Sequence, residues 1–312
     1  MPVHHGARYL AATLNSVSAE VAGQAEPGGV ELRLYNSAQD GGVARAVADR
    51  FAGQLEIIWR DLPQMTAWTA KTNVGVMEAR AAHVVMLHQD DLWLPGHLAA
   101  LRDAITDAPD AVMAIAPSRF IGEAGQTLGR WGLPFAPGHH AGRDFAQTLL
   151  VQNSIAIPSP VFARKAWQAS GGLDDALWYT ADWDLYLKLG QLGDVFVRRA
   201  ATTAFRVHGG SLTITGSRDG AAFRRQHELV LERHLPSLSP LPRGIEARAR
   251  AGIAMNCALA AASNGHPGGL AKALWQLLKL GPAGVARFLK EARLVDRLRP
   301  RLALRLSGAL GA

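Results

Sequence analysis

The stretch that decides the fold reads Val84-Val85-Met86-Leu87-His88-Gln89-Asp90-Asp91-Leu92-Trp93-Leu94-Pro95-Gly96. Its apolar first part predicts a strand over residues 83–87, and Pro95 suits the first turn of a helix over residues 95–106. Between them stand His88, Asp90 and Asp91, nitrogen and oxygen ligands of the kind that bind Mg²⁺ or Mn²⁺. The alternative is that Asp90 and Asp91 merely lead into the helix and cap it.

Strands and helices alternate on both sides of this stretch. Apolar spacing predicts strands over residues 30–35, 55–59, 83–87 and 111–116, and helices over residues 6–22, 43–51, 67–81, 95–106, 182–191 and 219–234. Strands separated by helices need crossover connections, so we expect an α/β fold with a mostly parallel, Rossmann-like sheet flanked by helices. From residue 245 onward the chain is predicted to be helical.

Polar residues follow two of the predicted strands directly. Ligands of open α/β sheets bind beyond the carboxyl ends of the strands, so Tyr35-Asn36 and the segment from His88 to Asp91 are expected at a binding site. Other polar motifs occur along the chain and are, in order, Thr72-Asn73-Val74-Gly75, Gly171-Gly172-Leu173-Asp174-Asp175, Asp182-Trp183-Asp184-Leu185 and Phe205-Arg206-Val207-His208-Gly209-Gly210-Ser211-Leu212-Thr213. For Asp182 and Asp184 the alternative is a helix N-cap followed by a first-turn acid.

These motifs, in this order, resemble those of the family 2 glycosyltransferases of the GT-A fold over roughly residues 2–213. The resemblance implies a hexosyltransferase-type enzyme that moves a sugar from a nucleoside diphosphate sugar to an acceptor hydroxyl with inversion. It also implies a role in surface polysaccharide or glycolipid biosynthesis, with a saccharide or lipid-linked acceptor.

The resemblance assigns roles to individual residues. Asp182 falls on the catalytic base, and the divalent cation, Mg²⁺ or Mn²⁺, falls to Asp90 with His88 and His208. For His208 and for Trp183, the residue assigned to the acceptor, a purely structural position is the alternative. The residues assigned to the donor are Tyr35, Asn36, Asn73, Gln89 and Asp91.

Three departures from the family pattern favour another interpretation. The chain opens Met1-Pro2-Val3, so the first strand is largely missing, which indicates a truncated start. Tyr35 replaces an acid that contacts the nucleotide base, and Ala181 replaces the acid before the base. The alternative function is therefore a catalytically impaired or non-catalytic GT-A-like binding or scaffold protein. A nucleotidyltransferase is disfavoured because the chain has no Gly-rich triphosphate loop near its start.

Composition indicates the class of protein and its expected location in the cell. Hydrophobic residues make up 48% of the chain and charged residues 19%, the profile of a packed globular protein. The single cysteine, Cys257, cannot form an internal disulfide, and the chain shows neither a signal peptide nor an apolar run long enough to span a bilayer. We therefore expect a cytoplasmic protein, on the inner face of the membrane if it is peripheral.

The basic charge is concentrated near the end of the chain. The formal net charge is +7, but residues 240–312 hold twelve Lys or Arg against three acids, which leaves the rest of the chain slightly acidic. We expect a GT-A catalytic domain over residues 1–235 and a helical, basic region over residues 236–312. Such helices suit an anionic membrane surface, the alternative being an appendage with a solvated basic face. Nucleic-acid binding is not expected, since no motif for it is present.

Overall fold

The computed structural model describes residues 1–24 and 29–298, and it confirms the predicted α/β class with parallel strands flanked by helices. The strands in chain order are β1 (Pro2–Val3), β2 (Glu31–Asn36), β3 (Glu56–Asp61), β4 (His83–Val85), β5 (Leu92–Trp93), β6 (Met113–Ile115), β7 (Ser118–Ile121), β8 (Thr127–Trp131), β9 (Gly138–His140), β10 (Val161–Ala163), β11 (Val195–Val197) and β12 (Thr203–Arg206). The helices are α1 (Ala7–Ala22), α2 (Val43–Asp49), α3 (Trp68–Glu78), α4 (His97–Asp107), α5 (Gly142–Leu149), α6 (Arg164–Ala169), α7 (Ala181–Gly190), α8 (Leu212–Thr215), α9 (Gly220–Leu238), α10 (Ile245–Ser263), α11 (Leu270–Leu278) and α12 (Gly281–Ala292).

The amino-terminal sheet has the order β1-β2-β3 and is parallel throughout. Strand β1 is only two residues long, as its missing apolar residues predict, and it pairs with Tyr35 and Asn36 at the end of β2. Val3 is nevertheless fully buried in the apolar cluster beneath α1. The short strand therefore still reaches the carboxyl end of β2, where the predicted site begins.

The strands β4-β10-β6-β11-β9 form a second sheet of mixed direction. Strand β10 runs antiparallel between β4 and β6, whereas β6 and β11 are parallel. The expected parallel pairing thus holds for part of this sheet only. The residues from 129 to 142, for which the sequence analysis predicts no strand, include β9, which pairs antiparallel with β11. Three-residue strands of this kind carry too little periodicity to be predicted.

The third sheet, β5-β12-β7-β8, fixes the position of the turn from His88 to Asp91, which we call the acidic turn. Strand β5 starts directly after Asp91 and pairs antiparallel with β12, with Ala204 opposite Leu92. Continuing this register places the segment from Arg206 to His208 beside the segment from His88 to Asp90. Helix α4 starts at His97 rather than at Pro95, because Gly96 has a left-handed backbone with φ of 82°.

The carboxyl-terminal region is helical, as predicted. The largest apolar cluster of the molecule contains residues of α10, α11 and α12, among them Ile253 and Phe288, together with residues of α5 and α7. Among the described residues, no helix is long and apolar enough to cross a membrane. Three of the predicted basic residues, Arg299, Arg301 and Arg305, lie outside the described residues.

Candidate active site

The turn after β4 brings three ligating side chains together. Ligand atoms of His88, Asp90 and Asp91 all lie within 4.8 Å of one another. Two of their buried atoms, His88 Nε2 and Asp91 Oδ2, have no hydrogen-bond partner among the described residues. Buried polar atoms normally find a partner, so these two fit a group that the protein itself does not supply. A divalent cation with nitrogen and oxygen ligands meets that description.

The protonation states of this cluster suit metal binding. Burial lowers the pKa of His88 to about 4 despite the nearby charge of Asp90, so the imidazole is neutral and free to ligate at neutral pH. Burial acts to raise the pKa of Asp90, but the hydrogen bond from His208 and the interactions with the nearby imidazoles of His88 and His208 outweigh it and leave that pKa below its usual value. Burial and the charge of Asp90 raise the pKa of Asp91 well above its usual value.

His208 joins the cluster from β12. Its Nε2 lies 2.9 Å from Asp90 Oδ2, and its ring packs against Tyr9 at 4.8 Å between centroids. The structure thus brings together all three residues that the resemblance assigned to the metal, which are His88, Asp90 and His208.

Arg206 holds the acidic turn against β12. Its backbone N–H donates to Asp91 Oδ1 at 2.9 Å, its Nε donates to the carbonyl of Asp90 at 2.8 Å, and its guanidinium lies 4.8 Å from the ring centroid of Tyr9. The motif around His208 contains Arg206, but the sequence did not reveal this role. A cation bonded to the backbone of the turn positions the carboxylates without neutralising Asp90 directly.

Asp182 lies in the first turn of α7 and is 8% exposed. The helix begins at Ala181 after Thr180, so Asp182 is not the N-cap residue. Asn153 Nδ2 donates to its Oδ2 at 2.8 Å, and the backbone N–H of Trp183 donates to its Oδ1 at 2.9 Å. Burial outweighs both hydrogen bonds and raises the pKa of Asp182 to about 6. A carboxylate with such a pKa suits proton transfer near neutral pH.

One cavity is lined both by the ligand cluster around Asp90 and by Asp182. It encloses about 320 Å³ and is lined by His88 and Asp90 at the carboxyl end of β4 and by Asp182 on α7. Trp68 also lines it and packs edge-on against His88 at 5.2 Å. Asn256 of α10 lines its far wall, so the carboxyl-terminal region forms part of the same cavity.

The residues predicted to bind the donor do not line this cavity. Tyr35 is buried, and its hydroxyl donates to Glu78 Oε2 at 2.7 Å. Asn36 donates to Asp61, and Asn73 exchanges two hydrogen bonds with the backbone of Leu173. The amide of Gln89 bonds to both the N–H and the carbonyl of His4, and Asp91 is buried against β12. Their donor role stays a prediction.

Trp183 lies at the edge of the cavity. Its ring is 2% exposed, and its indole N–H donates to the carbonyl of Leu149 at 2.9 Å. Little of the ring is therefore available as a platform for a sugar, and its acceptor role also stays a prediction.

Two cavity residues were missed in the sequence. Asn153 orients Asp182 from the loop that follows α5. His227 lines the cavity from α9, and burial lowers its pKa to about 4 while its ring packs 4.4 Å from that of Phe223. Neither residue belongs to a motif, so no sequence signal identified them.

Comparison with known proteins supports the fold. No family model and no curated protein matches the chain. Among solved structures it is similar to S. aureus TarS in complex with UDP-GlcNAc, with a TM-score of 0.57 and 13% identity over 95% of this chain and 89% of that one. It is also similar to the mannosyltransferase PcManGT from Pyrobaculum calidifontis in complex with GDP-Man and Mn²⁺, with a TM-score of 0.58 and 15% identity over 99% and 85% of the two chains. At these identities the likeness shows the fold: the chain has the α/β architecture of these two proteins.

Proposed function

We propose that the protein is a nucleotide-sugar-dependent, metal-assisted glycosyltransferase of the family 2 type that inverts the anomeric centre. The observation that carries the proposal is the single cavity lined by His88, Asp90 and Asp182. A cluster of metal ligands facing a buried carboxylate of raised pKa provides both groups that such a transfer needs, one for the leaving diphosphate and one for the attacking hydroxyl.

The proposed metal site consists of Asp90 and His88, with His208 Nε2 2.9 Å from Asp90 Oδ2. When bound there, Mg²⁺ or Mn²⁺ supplies Lewis-acid stabilisation of the negative charge that develops on the departing diphosphate. The protein holds the ionised Asp90 in place through the hydrogen bond from His208 and through the contact of Arg206 with the turn. The Mn²⁺ in the PcManGT complex is consistent with this chemistry.

Asp182 acts as the general base. Asn153 fixes the orientation of its carboxylate, and the raised pKa lets it accept the proton of an acceptor hydroxyl at neutral pH. The hydroxyl oxygen attacks the anomeric carbon from the face opposite to the diphosphate, which gives inversion. General-base assistance of this kind contributes about 10²–10⁴-fold to the rate.

The donor occupies the carboxyl ends of β1, β2 and β4. We keep the assignment of the donor to Tyr35, Asn36, Asn73, Gln89 and Asp91 as a proposal. Its support is that Tyr35 and Asn36 end β2 and that Gln89 and Asp91 follow β4, whereas Asn73 lies on α3. Because the nucleotide complexes of TarS and PcManGT carry UDP-GlcNAc and GDP-Man, a hexose-type donor on either nucleotide is compatible with the fold.

The acceptor binds at the end of the cavity beyond Asp182. That end is walled by Trp183 and by the residues of α10, so we propose a catalytic domain over residues 1–235 whose acceptor side is completed by residues 236–312. The acceptor class is a saccharide or a lipid-linked saccharide of surface polysaccharide or glycolipid biosynthesis. We place the reaction in the cytoplasm or on the inner face of the membrane.

A non-catalytic binding or scaffold protein is the second candidate. One observation favours it: the side chains of Tyr35 and Gln89 are engaged with the protein itself, and Gln89 fills the space beside Gly6. A donor would have to displace Gln89 from His4 to enter that space.

A panel of nucleoside diphosphate sugars tests the two candidates. The full chain is titrated with each compound with Mn²⁺ and with excess EDTA, and binding is followed by calorimetry and by the melting temperature. We expect at least one donor to bind in the presence of Mn²⁺ but not in excess EDTA. The product of slow donor hydrolysis should appear in the mixture that contains Mn²⁺. Binding that is equal with and without Mn²⁺, or absent for the whole panel, contradicts the enzyme proposal.

A further inference from the structure

Helix α11 carries apolar side chains on both its inner and its outer side. Ala273 and Leu277 are buried in the main apolar cluster, where the helix packs on α10. Leu274, Trp275 and Leu278 are instead 50%, 60% and 63% exposed. We call these three exposed residues the α11 stripe. Leu278 lies one helical turn from both Leu274 (i, i+4) and Trp275 (i, i+3), so the stripe is one contiguous patch.

No other helix of the described residues carries more than one large exposed apolar side chain. Val43 lies on α2, Met77 on α3 and Leu229 on α9, each without a second large exposed apolar residue on its own helix. Single exposed apolar side chains are ordinary in folded proteins, whereas a clustered group marks an interaction surface. The α11 stripe therefore requires a partner, and the three isolated residues offer a matched control.

The charges around the stripe have one sign. Residues 247–290 contain no Asp or Glu. Lys272 and Lys279 on α11 and Arg287 and Lys290 on α12 are exposed, and none of the four forms an ion pair within the described part of the chain. Lys279 Nζ lies 5.7 Å from the ring centroid of Trp275, so one cation lies directly beside the stripe.

We propose that the α11 stripe docks the protein on an anionic phospholipid bilayer. Leucine and tryptophan side chains enter the boundary between headgroups and acyl chains, where an indole ring is favoured. Lys272 and Lys279 bind the phosphate headgroups while their aliphatic stems stay along the apolar surface. The inference rests on this surface alone and is independent of the proposed function.

Charge complementarity favours an anionic bilayer over the other possible partners of the α11 stripe, which are residues 299–312, a second copy of the chain and a nucleic acid. Residues 299–312 of the same chain contain Arg299, Arg301 and Arg305 and no acid, so they would repel the cations around the stripe. A second copy packed on the same face would bring like charges together. A nucleic acid would satisfy the cations but would leave Leu274 and Leu278 in contact with charged phosphates.

Vesicle co-sedimentation of the full chain tests the proposal. The vesicles are phosphatidylcholine alone or with about one third phosphatidylglycerol, which carries the negative charge that the lysines need. We expect binding to the anionic vesicles only, weakened by added salt. The variant Leu274→Ser/Trp275→Ser/Leu278→Ser should bind about tenfold more weakly, because the apolar contribution is lost.

Two further variants keep the test decisive. The matched control Val43→Ser/Met77→Ser/Leu229→Ser removes as many exposed apolar residues and should bind like the wild type. Lys272→Glu/Lys279→Glu leaves the stripe intact and should also lose binding to anionic vesicles. Metal-dependent nucleotide binding, measured in solution on every variant, should not change, which keeps this result separate from the proposed function.

Several outcomes would overturn the proposal. They are failure of the wild type to bind anionic vesicles, equal loss of binding in both triple-serine variants, and binding to an oligonucleotide in place of vesicles. A dimer that becomes a monomer in the α11 variant without any vesicle binding would assign the stripe to a second copy.

Discussion

The fold divides two aspartate pairs of the predicted site, Asp90 with Asp91 and Asp182 with Asp184, in the same way. At the end of β4, Asp90 lines the cavity while Asp91 is buried against the backbone of Arg206. At the start of α7, Asp182 lines the cavity while Asp184 is fully buried away from it. In each pair one carboxylate lines the cavity, and the other is anchored by hydrogen bonds to the structure that presents it.

The surroundings of each carboxylate, not its spacing in the motif, distinguish the two roles. Asp184 accepts hydrogen bonds from Arg233 at 3.0 Å and His234 at 2.9 Å and lies 2.9 Å from Lys188. Burial acts to raise its pKa, but the hydrogen bond from His234 and then the charge and hydrogen bond of Lys188 lower it to about 2. Asp182 forms no ion pair within the described residues, so burial prevails and its pKa rises to about 6. Two residues on one helix thus differ in proton affinity because only one has cationic partners.

We expect the largest effect from substitution of Asp182, the cavity-lining member of the pair Asp182 and Asp184 on α7 (the α7 pair). Asp182→Asn removes the base but keeps the shape of the side chain, so the turnover number should fall about 10²–10⁴-fold. Metal-dependent donor binding should remain measurable, because Asp182 does not belong to the ligand cluster of His88, Asp90 and Asp91. Steady-state kinetics and calorimetry on the same preparation measure both quantities. Turnover near the wild-type level would show that another group takes the proton.

The other member of the α7 pair should affect stability instead. Asp184→Asn leaves His234 and Lys188 without their buried counter-charge, so the free energy of unfolding should fall by about 2–4 kcal/mol. Urea unfolding measures the change. The matched control is Asp174→Asn, which removes the more exposed partner of the same Arg233 and should cost below about 1 kcal/mol. Equal costs for the two variants would mean that the burial of Asp184 contributes nothing.

Much of this arrangement could be predicted because the signals are local. Apolar spacing located α1, α3, α7 and β4 to within a few residues, and the polar turn after β4 was identified as a ligand cluster from its residue types. The helical character of the carboxyl-terminal region followed from the same periodicity.

The rest depends on contacts between distant segments. Strand β10 is three residues long and inserts between β4 and β6, so nothing near Phe162 in the sequence indicates its direction or its partners. Asn153 reaches Asp182 across 29 residues, and His227 enters the cavity from α9 without any motif around it. The pKa contrast between Asp182 and Asp184 was equally invisible, since burial and partners exist only in the folded chain.

The β4 pair can be separated by a binding measurement. Asp90→Asn removes the ionised carboxylate that faces the cavity, so metal-dependent donor binding should weaken by about 10²-fold. Asp91→Asn keeps an oxygen that can accept the N–H of Arg206, so its effect on the same binding should be smaller. Titration of Mn²⁺ and donor into each variant gives the comparison. Equal losses would mean that both carboxylates ligate the ion and that the division of this pair is wrong.

The smallest expected effect is the dependence of turnover on pH, which tests the difference in pKa between Asp182 and Asp184. Asp182 must be ionised to act as a base, so turnover should rise with pH up to about 6 and change little above it, with about a tenfold loss between pH 7 and pH 5. Its contribution to stability has the opposite sign. A carboxyl group whose pKa is raised in the folded state stabilises the fold when protonated, and this contribution is lost as pH rises through about 6.

Asp184, with its lowered pKa, stabilises the fold above pH 4 and loses that contribution only as pH falls towards 2. Between pH 5 and pH 7 the activity should therefore change while the Asp184 ion cluster stays intact. Turnover and urea unfolding measured across this range on the wild type and on Asp182→Asn test the assignment, since the residual activity of the variant should lack the rise near pH 6. A flat wild-type profile, with donor binding constant over the same range, would remove Asp182 from the role of base.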